Sequence, residues 1–201
     1  MGQAHRSRLE GDFHMNAFAM SMTRSAVALA ALVGALAPAR AEPSLVFRGE
    51  PFVQAYESGN DKARLVEFVP PTENLQNWTK LIGYRAIHDS PQTPAQAAAV
   101  VGSLAQERYA GAKPRVSTKG GEALVEFVAK APDSDLVEFN VFKYAPGANG
   151  RGIVSFQYAQ RFRGLDPDDA RALGARAVAD AAAFDMSRVR TTTARRRSHS
   201  F

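Results

Sequence analysis

The sequence predicts an α+β domain, an antiparallel sheet of about five or six strands with two main helices, one on each face. Three observations carry that reading. Strand-like runs follow one another across short Gly/Pro/Asn/Asp turns, as antiparallel neighbours do. Two segments carry helix start signals followed by apolar residues at helical spacing. The second face of the later strands is half apolar, so something has to cover it.

The first strand runs from Leu45 to Tyr56 and contains LVF and FVQAY. Ser58-Gly59-Asn60-Asp61 is a turn composition, and Leu65 to Val69 (LVEFV) follows it. Pro70-Pro71 stops that strand, because proline has no N–H to give a ladder. Thr79 to His88 is the next strand. Thr93, Pro94 and Gln96 then form a T-x-x-Q capping box with proline at the first helical position. Ala97, Val100, Val101, Leu104 and Ala105 make the apolar face of that helix, and Gly111 closes it.

Ala123 to Ala129, Leu136 to Tyr144 and Ile153 to Phe162 are three further strands. Alternation places Val154, Phe156, Tyr158 and Phe162 on one face, with Val137, Phe139 and Val141, and with Val125 and Phe127. Glu126, Glu138 and Arg161 then point the other way. Asp166 caps the last helix ahead of Pro167, and its stripe is Ala170, Leu173, Ala177, Val178, Ala181 and Phe184.

Residues 1–41 read as a leader ahead of the 42–187 domain. Met15, Met20 and Met22 are possible starts, Arg24 supplies a positive flank, and Ser25 to Ala37 is a short apolar run. Ala39-Arg40-Ala41 completes a secretory signal over about 15–41, with cleavage before Glu42 and export to the periplasm or beyond. The run is shorter than the ~20 residues that span a bilayer. An Ala-rich core helix is the competing reading. Residues 1–14 are polar, and read either as a long basic flank or as an over-extended start.

The net charge of +5 divides unevenly. Residues 1–41 carry +2, residues 42–187 carry −2, and residues 188–201 carry +5 from five arginines and no acid. The basic segment 188–201 reads as a disordered tail. Arg195, Arg196 and Arg197 are its anion-binding candidates, for weak contact with anionic lipid or lipopolysaccharide. No aromatic-lined basic surface in the domain supports specific nucleic-acid recognition.

The chain has no Cys, which excludes disulfides, thiolate nucleophiles, Cys-ligated zinc, iron–sulfur clusters and a lipidated cysteine. After the leader only His88 and His199 remain, without metal-site spacing, so no metal or cofactor is implied. No G-x-S-x-G elbow occurs, and Gly147 to Gly152 reads as a hairpin loop. LVEF occurs three times, with Glu67, Glu126 and Glu138. Glu126 and Glu138 are the one candidate carboxylate pair, about 5–8 Å apart if diagonal across a hairpin, which suits a glycosidase-like envelope hydrolase. The plainer reading is a solvated face with a Glu138–Arg161 ion pair. Trp78, with Tyr84 and Arg85, is the candidate surface for a small-molecule ligand or an envelope protein; a lone Trp capping a core edge is the alternative.

Val66-Glu67-Phe68-Val69-Pro70-Pro71, Glu73 and Asn77-Trp78-Thr79 together resemble a motif of small secreted proteobacterial proteins of no assigned function. The element order from Leu45 to Phe184 is similar to the PsbP/Mog1-like fold, which includes DcrB-like periplasmic proteins. That likeness implies an accessory or binding role rather than catalysis.

Overall fold

A computed structural model describes residues 45–194, apart from 131 and 133. The leader, its cleavage site and Arg195, Arg196 and Arg197 lie outside the described residues. The strands are β1 (Leu45–Phe47), β2 (Glu50–Gly59), β3 (Ala63–Val69), β4 (Lys80–Ile87), β5 (Arg115–Lys119), β6 (Glu122–Lys130), β7 (Leu136–Pro146) and β8 (Ile153–Arg163). The helices are α1 (Pro94–Arg108), α2 (Pro167–Ala183) and α3 (Met186–Thr192). All eight strands form one antiparallel sheet in the order β1-β2-β3-β4-β8-β7-β6-β5. It is built of two four-stranded meanders. After β4 the chain crosses over through α1 to the far edge and returns strand by strand, until β8 pairs with β4.

This corrects the expectation of five or six strands and two helices, and it leaves the PsbP/Mog1-like likeness without confirmation. Leu45 to Tyr56 is not one strand. Arg48 and Gly49, both at positive φ (55° and 79°), reverse the chain in the two-residue turn that right-twisted hairpins favour. β5 is a strand for which the sequence gives no signal, because Arg-Val-Ser-Thr-Lys has one large apolar residue and lies wholly exposed. The third helix falls in the stretch assigned to a disordered tail. Asp185 caps it through Ser187, Val189 is fully buried, and the domain therefore runs past Ser187 to at least Thr193.

Thr93 and Gln96 do form a reciprocal capping box at the start of α1, and Asp166 accepts the Asp168 N–H at the start of α2. α1 covers one face of the sheet at β5–β7, with the bare backbone of Gly102 over Val125. α2 lies on the other face, where Gly174 sits directly against the Phe139 ring. α3 follows it onto β8 and β4. Among the described residues one face therefore carries one helix and the other carries two. The close approach at Gly174 turns Leu173 outward, 57% exposed, although its spacing suggested a core position.

The strand faces also needed one correction. β7 and β8 behave as alternation predicts, with Val137, Phe139 and Val141 beside Phe162, Gln160 and Tyr158. β6 is inverted relative to the expectation. Val125 pairs with Phe142 and Phe127 with Asn140, so both lie on the α1 face. Glu126 pairs with Val141 on the α2 face. β6 is apolar on both sides, with Leu124 and Val128 on one and Val125 and Phe127 on the other, so its pattern fixed no register.

The α2 face holds the larger core, built on Phe47, Phe52, Phe68, Tyr84, Phe139, Phe156 and Tyr158 with Ala170, Ala177 and Val189 from the helices. Lys143 is buried in it, 5% exposed at the side chain. Its ammonium donates to the carbonyls of Ala182 (2.8 Å) and Phe184 (2.9 Å) at the end of α2 and pairs with Glu122 at 2.9 Å. A buried cation is tolerable there because the helix end supplies unpaired carbonyls and partial negative charge. Among the described residues no helix is long and apolar enough to cross a membrane.

Candidate ligand cleft

Tyr84 and Arg85 are neighbours in β4, so the pleat sends them to opposite faces. Tyr84 points into the α2-side core, against Phe68 (ring centroids 5.0 Å apart), Phe184 (5.9 Å) and Phe156 (6.2 Å). Arg85 points to the α1 face, in the same cross-strand row as Ser155 and Tyr144. Burial holds Arg85 below its usual pKa, opposed by Tyr144 and Glu67. Trp78 lies just before the start of β4, near Val69, Leu81 and Ala159. The three predicted ligand residues therefore occupy three different environments.

The Trp78 environment is already filled. The Arg161 guanidinium stacks 3.6 Å over the indole. Its Nε donates to Glu138 at 3.1 Å, Asn140 donates to the other Glu138 oxygen at 3.0 Å, and Gln157 donates to Asn140 at 3.0 Å. The preceding loop is held by its own side chains. Glu73 accepts the Thr79 N–H and hydroxyl, at 2.6 Å and 2.5 Å, and Asn74 and Asn77 bond across the turn. The E-x-x-x-N-W-T residues thus shape and clip a loop and cap the sheet end. That use needs all of them and leaves Trp78 8% exposed.

The candidate carboxylate pair is not brought together. Glu126 faces α2 and pairs with Arg115 at 3.3 Å, while Glu138 faces α1 and pairs with Arg161, as the plainer reading expected. The sheet stands between them, so no substrate can touch both. Among the described residues no three metal-ligating side chains cluster.

What the sequence could not show is the opening above Tyr84. A cleft of about 650 Å³ lies between β1, β2 and α3. Leu45, Val46, Phe68 and Tyr84 give it apolar walls, and Gln54, Arg188, Thr191 and Thr192 line it with polar groups. β2 carries a bulge between Gln54 and Tyr56, which bends the strand at this rim. Burial pushes the Tyr84 hydroxyl up to about 12, and the nearby positive charge of Arg188 works against that shift. Arg188 itself is exposed. Its helix begins with a well-made cap, since Ser187 donates twice to Asp185 and holds that carboxyl below its ordinary value. A second hollow of about 530 Å³ lies at the β2–β3 turn beside His88. Its charges are engaged with the turn itself: Arg64 binds Glu57 at 2.6 Å, and Asn60 accepts the Lys62 and Ala63 N–H groups.

A protein-family model matches residues 40–187, which is nearly the whole domain. The chain belongs to that family. The family is an uncharacterised one, and it brings no activity to the cleft. No curated protein matches the chain, and no solved structure does, so the PsbP/Mog1-like likeness gains no support from that side either.

Proposed function

We propose that this protein is an exported, non-catalytic binding module that holds a small amphipathic anion in the cleft above Tyr84. The observation that carries this reading is the composition of that cleft. The exposed Val46 side chain, beside the edges of the buried Leu45, Phe68 and Tyr84, offers area to an apolar body, and an exposed guanidinium at the rim offers a partner to one anionic head. Its volume and its mixture of apolar wall with few polar groups are those of small-molecule sites. Export rests on the leader's basic flank, apolar run and Ala-x-Ala site. The separation of Glu126 from Glu138 across the sheet removes the one carboxylate pair that favoured a hydrolase.

Decanoate is a suitable probe, having one carboxylate and an apolar tail. Titrated into the ¹⁵N-labelled domain, it should shift the amides of Val46, Gln54, Tyr84 and Arg188. Arg188→Gln should weaken binding about tenfold, the worth of one charge-assisted hydrogen bond. Val46→Asp, a change at an exposed position, should abolish it. Unmoved amides around the cleft, or equal binding by both variants, would remove this reading.

A further inference from the structure

The sheet has two edges, and they differ. β1 is three residues long, with two of its side chains buried. β5 is the last strand of the order, pairs along its whole length with β6, and has all five residues exposed. Its outward backbone groups are a ready template for another strand.

The side chains of β5 say what kind of strand fits. Alternation places Arg115, Ser117 and Lys119 on the α2 face and Val116 and Thr118 on the α1 face. Val116 is 47% exposed, and its other side rests beside Gly102 of α1. A second copy is disfavoured. Antiparallel self-pairing centred on Ser117 sets each Arg115 against a Lys119, and like charges directly opposite are destabilising. Glu126 already lies 3.3 Å from Arg115, yet Arg115 remains 68% exposed at the side chain and open to a second acceptor.

We propose that the outer edge of β5 docks an extended acidic segment of a partner protein by strand addition. Acidic residues at alternate positions meet Arg115 and Lys119, and an apolar residue between them covers Val116. The backbone ladder supplies affinity and the alternating side chains supply selectivity. This site is on the far edge from the Tyr84 cleft in strand order, so it stands or falls independently of the ligand reading.

The test uses two blocked five-residue peptides, Glu-Val-Glu-Val-Glu and Lys-Val-Lys-Val-Lys, titrated into the ¹⁵N-labelled domain. The acidic peptide should shift the amides of residues 115–119, and its affinity should fall with added salt. The double variant Arg115→Glu/Lys119→Glu should bind it about tenfold more weakly, the worth of two rim ion pairs. That variant should instead gain binding to the basic peptide, which a merely unfolded variant would not do. Silent β5 amides would overturn the proposal and leave the two cations as guards against edge pairing. Equal binding of both peptides, or β5 shifts that track protein concentration alone, would overturn it too, the latter by showing a second copy in that place.

Discussion

Tyr84 shows how one side chain can be both core and cleft floor. It is 3% exposed, and its hydroxyl is held protonated by burial, to about 12 from an ordinary 10. The folded state therefore keeps its proton at a pH where the unfolded chain gives it up. That contribution is fully present below pH 10 and is lost as pH rises towards about 12. Burial pushes Tyr109, Tyr144 and Tyr158 the same way, so the whole domain should lose stability steeply in alkali. In denaturant titrations from pH 9 to 12, Tyr84→Phe should show a shallower loss than the parent. An unchanged slope would mean that Tyr84 ionises in the folded state as freely as in the unfolded one.

At the scale of elements, two helical glycines do opposite things. A methyl group on Gly102 would meet Pro114, Val116 and Val125 at 3.6–3.7 Å, ordinary contact. Gly102→Ala should stabilise by about 0.5–1 kcal/mol, the usual helical gain over glycine. On Gly174 the same methyl would lie 2.5 Å from the Phe139 ring, a core side chain with nowhere to go. Gly174→Ala should destabilise by about 1–3 kcal/mol through overpacking. Thermal denaturation of both variants checks the pair, and a stabilised Gly174→Ala would mean that α2 can lift off the sheet without cost.

The same elements show where the sequence was legible. Capping signals at Thr93 and Asp166 were read correctly because they are local and stereochemical. The strands β3, β4, β7 and β8 announced themselves by β-branched and aromatic runs. β5 and α3 did not, since both are short and are placed by what they pack against rather than by their own pattern. The face of β6 was misread because both of its faces are buried. In the candidate site, Tyr84 was legible as an aromatic on a strand. Its union with Arg188 was not, because more than 100 residues of chain separate them.

For the whole molecule, the last helix acts as a strap across the two meanders. The Arg190 Nε donates to the Pro146 carbonyl of β7 at 3.0 Å, and Arg64 of β3 reaches the Ala194 carbonyl at 3.1 Å. Met186 and Val189 pack beneath it into the main core. Ending the chain after Phe184 should lower the melting temperature by more than about 5 °C, roughly what loss of 2 kcal/mol costs a domain of this size. It should also expose Phe156 and Phe184, seen as increased binding of an apolar dye. The double variant Arg64→Ala/Arg190→Ala should reproduce a smaller part of that loss. A truncated domain with unchanged melting would show the helix to be an ornament.

That strap has a consequence in time. Leu45 and Val46, the first residues of the sheet, and Arg188 to Thr192, near the last of the fold, meet at one opening. Contacts between such distant stretches of chain carry the largest closure entropy and form late. A chain still emerging from a ribosome has every strand before it has this site. Under the proposed reading, ligand capture thus reports that α3 has docked: the cleft lacks one wall until Arg188 to Thr192 are in place.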